Sequence, residues 1–321
     1  MTQALTRHDR VLGCLIGGAV GDALGYQVEF NHWDRIRESW GPDGVTELRR
    51  NQISDDTQMT LFTAEGLLDA APGDEFASVK SAYMRWYATQ KEYLPPSGAR
   101  GLAAEPWLYD RRAPGNACLS GLRAGGGPGV NMDSKGCGTV MRSAPFGFHS
   151  GPEEAYALAE RCSALTHGHP TAGASAGAFA MIVAHLMNGE TPQRAVSAAM
   201  LHLRDGLHRS ETADALQHAY RLAGSVPPGP NTCAPLGEGW IAEEALAIAV
   251  YCLLGTDDVR KGLTASVSHS GDSDSTGAIL GNLYGAAYGH AALPREWSSQ
   301  VEGRGTITAL AGRFAADAPT S

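Results

Sequence analysis

The sequence predicts an all-α protein, and three observations carry that prediction. Apolar residues recur three and four positions apart through most of the chain, as half-buried helices require. Period-2 runs of β-branched residues are almost absent. Gly and Pro gather in short clusters between the periodic segments, at 41–53, 92–98, 105–115, 125–136 and 225–230. None of these clusters is long enough to be a clear interdomain linker, and no repeat of a solenoid's length is present. The chain therefore reads as one compact multi-helix domain over 1–321, with short flexible ends at about 1–8 and 316–321.

In chain order, the periodicity predicts helices over 10–29, 54–70, 75–91, 152–166, 171–188, 192–204, 211–223, 240–254, 257–267, 275–290 and 306–315. The second of these shows the pattern, with Met59, Phe62, Ala64 and Leu67 on one face. A length of 321 residues, 43% of them hydrophobic, supports a sizeable core and excludes a disordered chain. A mean hydropathy of −0.19 argues against a membrane-spanning protein, and no apolar run near ~18 residues is expected. Lys and Arg number 25 against 34 Asp and Glu, a net charge of −9. That balance disfavours an extended nucleic-acid surface or an anionic membrane as partner. Cys14, Cys118, Cys137, Cys162, Cys233 and Cys252 are scattered without a paired motif, and residues 1–10 lack an apolar signal core. Free thiols and a cytoplasmic location are the expectation.

Two segments carry glycine at every fourth position: Gly13, Gly17, Gly21 and Gly25, then Gly277, Gly281, Gly285 and Gly289. A glycine inside a helix costs up to ~1 kcal/mol against Ala, so each stripe needs an offsetting gain. Close approach of another helix is that gain, and the two striped helices are candidates for each other's partner. A chance run of tolerated surface glycines is the competing explanation.

Acidic residues and small hydroxyls cluster twice at predicted helix starts. The first cluster is Ser54-Asp55-Asp56-Thr57, and the second runs from Gly271 through Asp272, Ser273, Asp274 and Ser275 to Thr276. Ser and Asp are good N-caps, so helix capping explains one residue in each cluster. Two aspartates per cluster exceed that need. Crowded carboxylates must take up protons or be neutralised by cations. Asp55, Asp56, Asp272 and Asp274 match the charge of two divalent ions, and Ser54 and Ser275 add neutral oxygens. Spacing alone leaves metal binding and ordinary capping both open.

Glu29 lies seven residues after Asp22, which places both on similar faces of one continuous helix; a solvent-facing helix-end carboxylate is the simpler account. His167 and His169 precede a predicted helix without further metal-ligand types nearby, so a substrate hydrogen bond or a structural role fits them better. His269 adjoins the second acidic cluster and can support it from behind. Three apparent motifs fail. Gly173 to Gly177 matches a nucleophile elbow, yet it falls inside an Ala-rich helix. The loop from Asp272 starts like a calcium loop but has Leu283 at its twelfth place. The glycines at 125–127 and 136–138 follow no strand, so they indicate no dinucleotide fold, though their N–H groups can face a phosphate.

Together these segments resemble the ADP-ribosylglycohydrolase family. The likeness rests on GCLIGGAVGDALGYQVEF at 13–30, SDDTQMT at 54–60, SKGCGTVMRSAPFG at 134–147, THGHPTAGASAGA at 166–178 and SHSGDSDSTGAILGNLYGAAYG at 268–289. The resemblance implies an orthogonal all-α fold with two Mg2+ or Mn2+ ions. It implies Ser54, Asp55, Asp56, Asp272, Asp274 and Ser275 as metal ligands, and Glu29, Asp56 and Asp272 as catalytic carboxylates. It implies a substrate-binding set of Asp22, Gly136, Cys137, Gly138, Thr139, His167 and Gly271. Two departures stand out: Cys137 occupies a place that is commonly Asn, and Ser54 and Ser275 stand where threonines are usual.

The implied reaction is hydrolysis of the ribose C1″ bond of an ADP-ribosylated protein, nucleic-acid base or small molecule, with ADP-ribose as product. Such cleavage builds positive charge on the sugar and negative charge on the leaving group, which a carboxylate general acid or base can serve. Two alternatives remain at this point: a catalytically silent scaffold, as in the crystallins of this fold, and a non-hydrolytic ADP-ribose binder.

Overall fold

Thr6 opens the first helix by accepting from the Asp9 N–H at 3.1 Å, while Asp9 reaches back to the Thr6 N–H at 3.0 Å. This reciprocal cap fixes the start of α1, Arg7–Tyr26. The computed structural model describes residues 5–204 and 210–316. Parts of the expected flexible ends, 1–4 and 317–321, lie outside the described residues, whereas residues 7 and 8 belong to α1.

The chain continues through α2 (Trp33–Trp40), α3 (Asp55–Leu68), α4 (Glu75–Thr89), α5 (Asn116–Arg123), α6 (Ala144–His149), α7 (Pro152–Ser163) and α8 (Pro170–Met187). It closes with α9 (Pro192–Leu203), α10 (Ser210–Ala223), α11 (Ala242–Gly255), α12 (Val259–Val267), α13 (Ser273–Tyr288), α14 (Arg295–Ser298) and α15 (Arg304–Ala316). The fold is all-α: no strand occurs among the described residues, and Gly136 with Ile241 forms an isolated antiparallel bridge. One contiguous apolar core runs from Val11 of α1 to Phe314 of α15.

The glycine stripes meet as expected. A Cβ built on Gly21 would lie 1.9 Å from the Gly277 carbonyl oxygen, and one on Gly281 would lie 1.9 Å from that of Gly17. Gly13 faces Gly285 in the same way, so α1 and α13 run antiparallel with backbone against backbone. Gly25 faces the Ser273 carbonyl, which carries the seam to the start of α13. Gly289 is outside the seam: with φ +77° it ends α13 as its C-cap.

Four helices were not predicted: α2, α5, α6 and α14, of 8, 8, 6 and 4 residues. Segments of two turns or fewer carry too few apolar repeats to stand out. The reading of no apolar run of membrane length needs correction for α8. Its 18 residues average a hydropathy of 1.3, enough to span by length and composition, but 83% of them are buried inside the protein. This helix is apolar all round because other helices surround it.

Candidate active site

The first helix ends earlier than predicted, and the site depends on that. After Tyr26 the chain turns, with Val28 and Glu29 both donating their N–H groups to the Gly25 carbonyl at 2.9 Å. Phe30 follows in the left-handed region at φ +65°. The turn carries Glu29 away from the face of Asp22, so the shared-face argument does not hold. Glu29 instead reaches a cavity of about 320 Å3.

Two helix N-termini meet at that cavity. Ser54 caps α3 by accepting from the Asp56 N–H at 3.2 Å, and Asp272 caps α13 by accepting from Ser275 N–H at 3.4 Å. Capping therefore consumes one residue per cluster, leaving Asp55, Asp56 and Asp274 as surplus acids. All three line the cavity with Glu29, Asp272 and Ser275. The positive ends of both helix dipoles favour negative charge there, yet they do not offset its density. Burial, and then the charges of Asp274, Asp272, Asp55 and Asp22, push the Glu29 carboxyl up to about 10. Burial, followed by Asp274, Asp55, Asp22 and Asp272, holds Asp56 well above the usual carboxylate range. Asp272 is raised by burial and by Asp274, with which it shares a side-chain hydrogen bond. Two carboxyl groups in that contact require a proton between them.

Two oxygens decide whether the residues fit cations. Glu29 Oε2 and Asp56 Oδ2 are buried and have no hydrogen-bond partner. An unpaired carboxylate oxygen is expensive to bury, so a charged ligand is the natural complement. No three His, Cys, Asp or Glu side chains among the described residues stand in a ready-made ligand arrangement. The acids are engaged elsewhere: Asp55 Oδ2 accepts from Gly115 N–H at 3.2 Å, and Cys137 Sγ donates to Asp272 Oδ2 at 2.8 Å. The donor set is hard oxygen, suited to Mg2+ or Mn2+, with one thiol beside it.

Gly136, Cys137, Gly138 and His167 form the opposite wall. Other predicted residues do not reach the cavity. Asp22 is fully buried beneath it and accepts from Ser54 N–H at 2.9 Å, Thr57 N–H at 3.1 Å and Thr57 Oγ1 at 2.5 Å. It holds the start of α3 in place rather than touching substrate. Thr139 is buried with its hydroxyl donated to the Ala172 carbonyl at 3.1 Å. Gly271 shapes the backbone at φ +111°, where a Cβ would strike the Glu238 carbonyl. Ser54 lies just behind the wall and hydrogen-bonds Asp274. His269 is also behind it, 2.9 Å from Thr276 Oγ1.

The sequence profile of the ADP-ribosylglycohydrolase family matches residues 3–321. The chain belongs to the ADP-ribosylglycohydrolase family. It is 29% identical to the ADP-ribosyl-[dinitrogen reductase] glycohydrolase of Rhodospirillum rubrum, over 92% of this chain and 91% of that one. It is 23% identical to the ADP-ribosylarginine hydrolase Tri1 of Serratia proteamaculans (strain 568), over 97% and 80% of the two chains. A solved structure described as an ADP-ribosylglycohydrolase-related protein complex superposes with a TM-score of 0.73 at 25% identity, covering 97% and 98%. ADP-ribosyl glycohydrolase activity, hydrolysis of a glycosyl bond, is thus the activity of this family member.

Several wall residues of this glycohydrolase escaped the sequence reading. Phe30 and Trp240 stack at 5.6 Å with 17° between their rings, at the exposed rim. Ala113, at φ +50°, and Asn116 line the same cavity. Two non-glycine residues in the left-handed region on one cavity wall mark it as a functional place. A lone aromatic in a loop gives no periodic signal. The one available clue was an exposed Trp just ahead of a helix.

Proposed function

We propose that this chain is a divalent-cation-dependent ADP-ribosylhydrolase. It cleaves the ribose C1″ N- or O-glycosidic bond of an ADP-ribosylated protein, nucleobase or small molecule and releases ADP-ribose. One observation carries the metal dependence: surplus carboxylates from two helix N-termini converge on one cavity, with buried, unpaired oxygens on Glu29 and Asp56.

Asp55, Asp56, Asp272, Asp274 and Ser275, with Ser54 behind them, are the residues to hold two Mg2+ or Mn2+ ions. When bound, such ions supply fixed positive charge for ribose hydroxyls and a water of lowered pKa. The carboxylate floor favours a sugar that gains positive charge as the bond breaks. Glu29 presents an unpaired oxygen to the same space, so it is the group to take a proton from water or give one to the leaving atom. The Gly136–Gly138 loop lets substrate approach the backbone, since neither terminal residue of that tripeptide carries a side chain. The Phe30–Trp240 pair offers a flat apolar face for a base at the rim.

The test is a panel of ADP-ribosylated arginine, serine, nucleobase and acetyl-ester substrates, each with Mg2+, Mn2+ or EDTA. ADP-ribose release that stops in EDTA supports the reading. Release that is indifferent to EDTA, or binding of ADP-ribose with no release from any substrate, overturns it.

A further inference from the structure

His167 lines the cavity, but its chemistry is set by a chain of groups behind it. Its Nδ1 lies 2.7 Å from Thr166 Oγ1. Thr166 Oγ1 in turn accepts from the Arg142 guanidinium at 2.7 Å. Arg142 is only 1% exposed and has no carboxylate partner among the described residues. It sits over the Tyr83 ring at 4.6 Å, and its other contacts are the sulfurs of Met59 and Cys118. A buried cation with no counter-ion in contact is costly unless its field is used.

The hydroxyl of Thr166 has one hydrogen and two lone pairs. Arg142 is donor only, so it occupies a lone pair. The hydrogen then has three possible acceptors: the Ser163 carbonyl at 3.5 Å, the Cys118 sulfur, and His167 Nδ1 at 2.7 Å. The first is too long for a good O–H···O bond and sulfur is a weak acceptor. The imidazole nitrogen wins. A ring that accepts at Nδ1 and is neutral must carry its hydrogen on Nε2. Burial, and then the Arg142 charge, push the imidazole down to about 3, so the ring stays neutral.

Nε2 has no protein partner among the described residues, and it faces the loop of Gly136 and Gly138. A Cβ on Gly136 would lie 3.3 Å from Nε2, and one on Gly138 would lie 3.2 Å from the adjoining Cε1. The backbone is pinned as well: Asn131 Nδ2 donates to the Thr166 carbonyl at 2.7 Å, and Gly168 N–H donates to the Asn131 carbonyl at 3.0 Å.

We propose that Arg142 and Thr166 are positioning residues that lock His167 as a neutral Nε2–H donor aimed into the cavity, where it binds an unprotonated, charged oxygen such as that of a diphosphate. Proton transfer is then not its task, because neither ring nitrogen has a proton to exchange at neutral pH without breaking the relay. The ligand half of this inference rests on the ADP-ribosylhydrolase reading; the tautomer half does not.

The experiment has two readouts. Two-bond 1H–15N correlation spectra of histidine-labelled protein, with His167 assigned by its loss in His167→Gln, report the tautomer with no ligand present. The expected result is the Nε2–H form at pH 7, retained in Thr166→Ser and lost in Thr166→Val. Calorimetry with ADP-ribose should show affinity weakened about tenfold in Thr166→Val and restored in Thr166→Ser. In turnover assays the loss should fall on KM, with kcat and its pH profile unchanged. An Nδ1–H or doubly protonated ring in the wild-type spectrum overturns the proposal, whether or not any variant folds. So does unchanged ADP-ribose affinity in a folded Thr166→Val. A wild-type protein with the Nε2–H form but no ADP-ribose affinity would instead overturn the functional reading and the ligand half with it.

Discussion

The pair α1 and α13 behaves differently at its two regions. Along the seam from Gly13 to Gly21, helix backbone lies against helix backbone with no side chain between. At the end where α13 begins, the same pair opens onto a cavity walled by acids. Both regions break a local rule. The seam spends helix propensity on glycine, and the acidic end places like charges together in a buried space. The seam is complete within the chain, because each missing Cβ is matched by a carbonyl that fills its place. The acidic end is incomplete within the chain, because Glu29 Oε2 and Asp56 Oδ2 have no partner. A violation settled internally is architecture; one left open points outward to a ligand.

The sharpest way to break this contrast is to fill the seam. Gly281→Ala would place a Cβ 1.9 Å from the Gly17 carbonyl oxygen. The expected loss is about 3 kcal/mol or more in urea unfolding, because two backbones rather than a flexible side chain must move. A loss below about 1 kcal/mol would mean that the helices can separate cheaply.

At the acidic end the opposite pattern is expected. Asp274→Asn should lower turnover at least about 100-fold, since it removes a liganding oxygen. In chelated buffer it should leave stability unchanged or raise it, because it deletes one of several mutually repelling charges. Enzyme assays beside thermal melts in EDTA check both halves. A variant that loses stability in EDTA would show that the carboxylate is structural.

The pH dependence sharpens the comparison further. Glu29 has an ordinary value of 4.5 and is pushed to about 10 in the fold, and Asp22 moves from 3.8 to about 7. A raised acid favours the folded state while it is protonated there and ionised in the unfolded chain. The metal-free protein should therefore lose stability as pH rises from about 5 towards 10. Saturating Mn2+ should flatten that slope by favouring the ionised acids. Melting temperatures across pH, with and without Mn2+, give the answer; identical slopes would contradict it. The smallest effect is expected at the rim. Trp240→Ala should raise KM a few-fold, on the order of 1 kcal/mol of stacking, with kcat kept.

Much of this contrast was legible in the sequence, for physical reasons that also set its limits. The stripes were readable because every fourth residue of a helix shares a face, so Gly17 and Gly281 declare a close approach in one dimension. The acidic clusters were readable because Asp55, Asp56, Asp272 and Asp274 exceed what a cap needs. Glu29 was found but placed on a continuous helix, since nothing local marks the turn after Tyr26. Asp22 was grouped with substrate contacts, yet its three hydrogen bonds are to Ser54 and Thr57, a long-range arrangement that spacing cannot reveal. Phe30, Ala113 and Trp240 come from separate loops, and only the fold brings them to one wall. The Arg142–Thr166–His167 relay was equally hidden, because its members lie on separate motifs.

Calorimetric titration of Mn2+ into metal-free protein addresses the central claim most directly. Two ions should bind per wild-type chain at micromolar to millimolar concentration, with at least one lost in Asp274→Asn. A folded wild-type chain that takes up no Mn2+ and no Mg2+ would contradict the account.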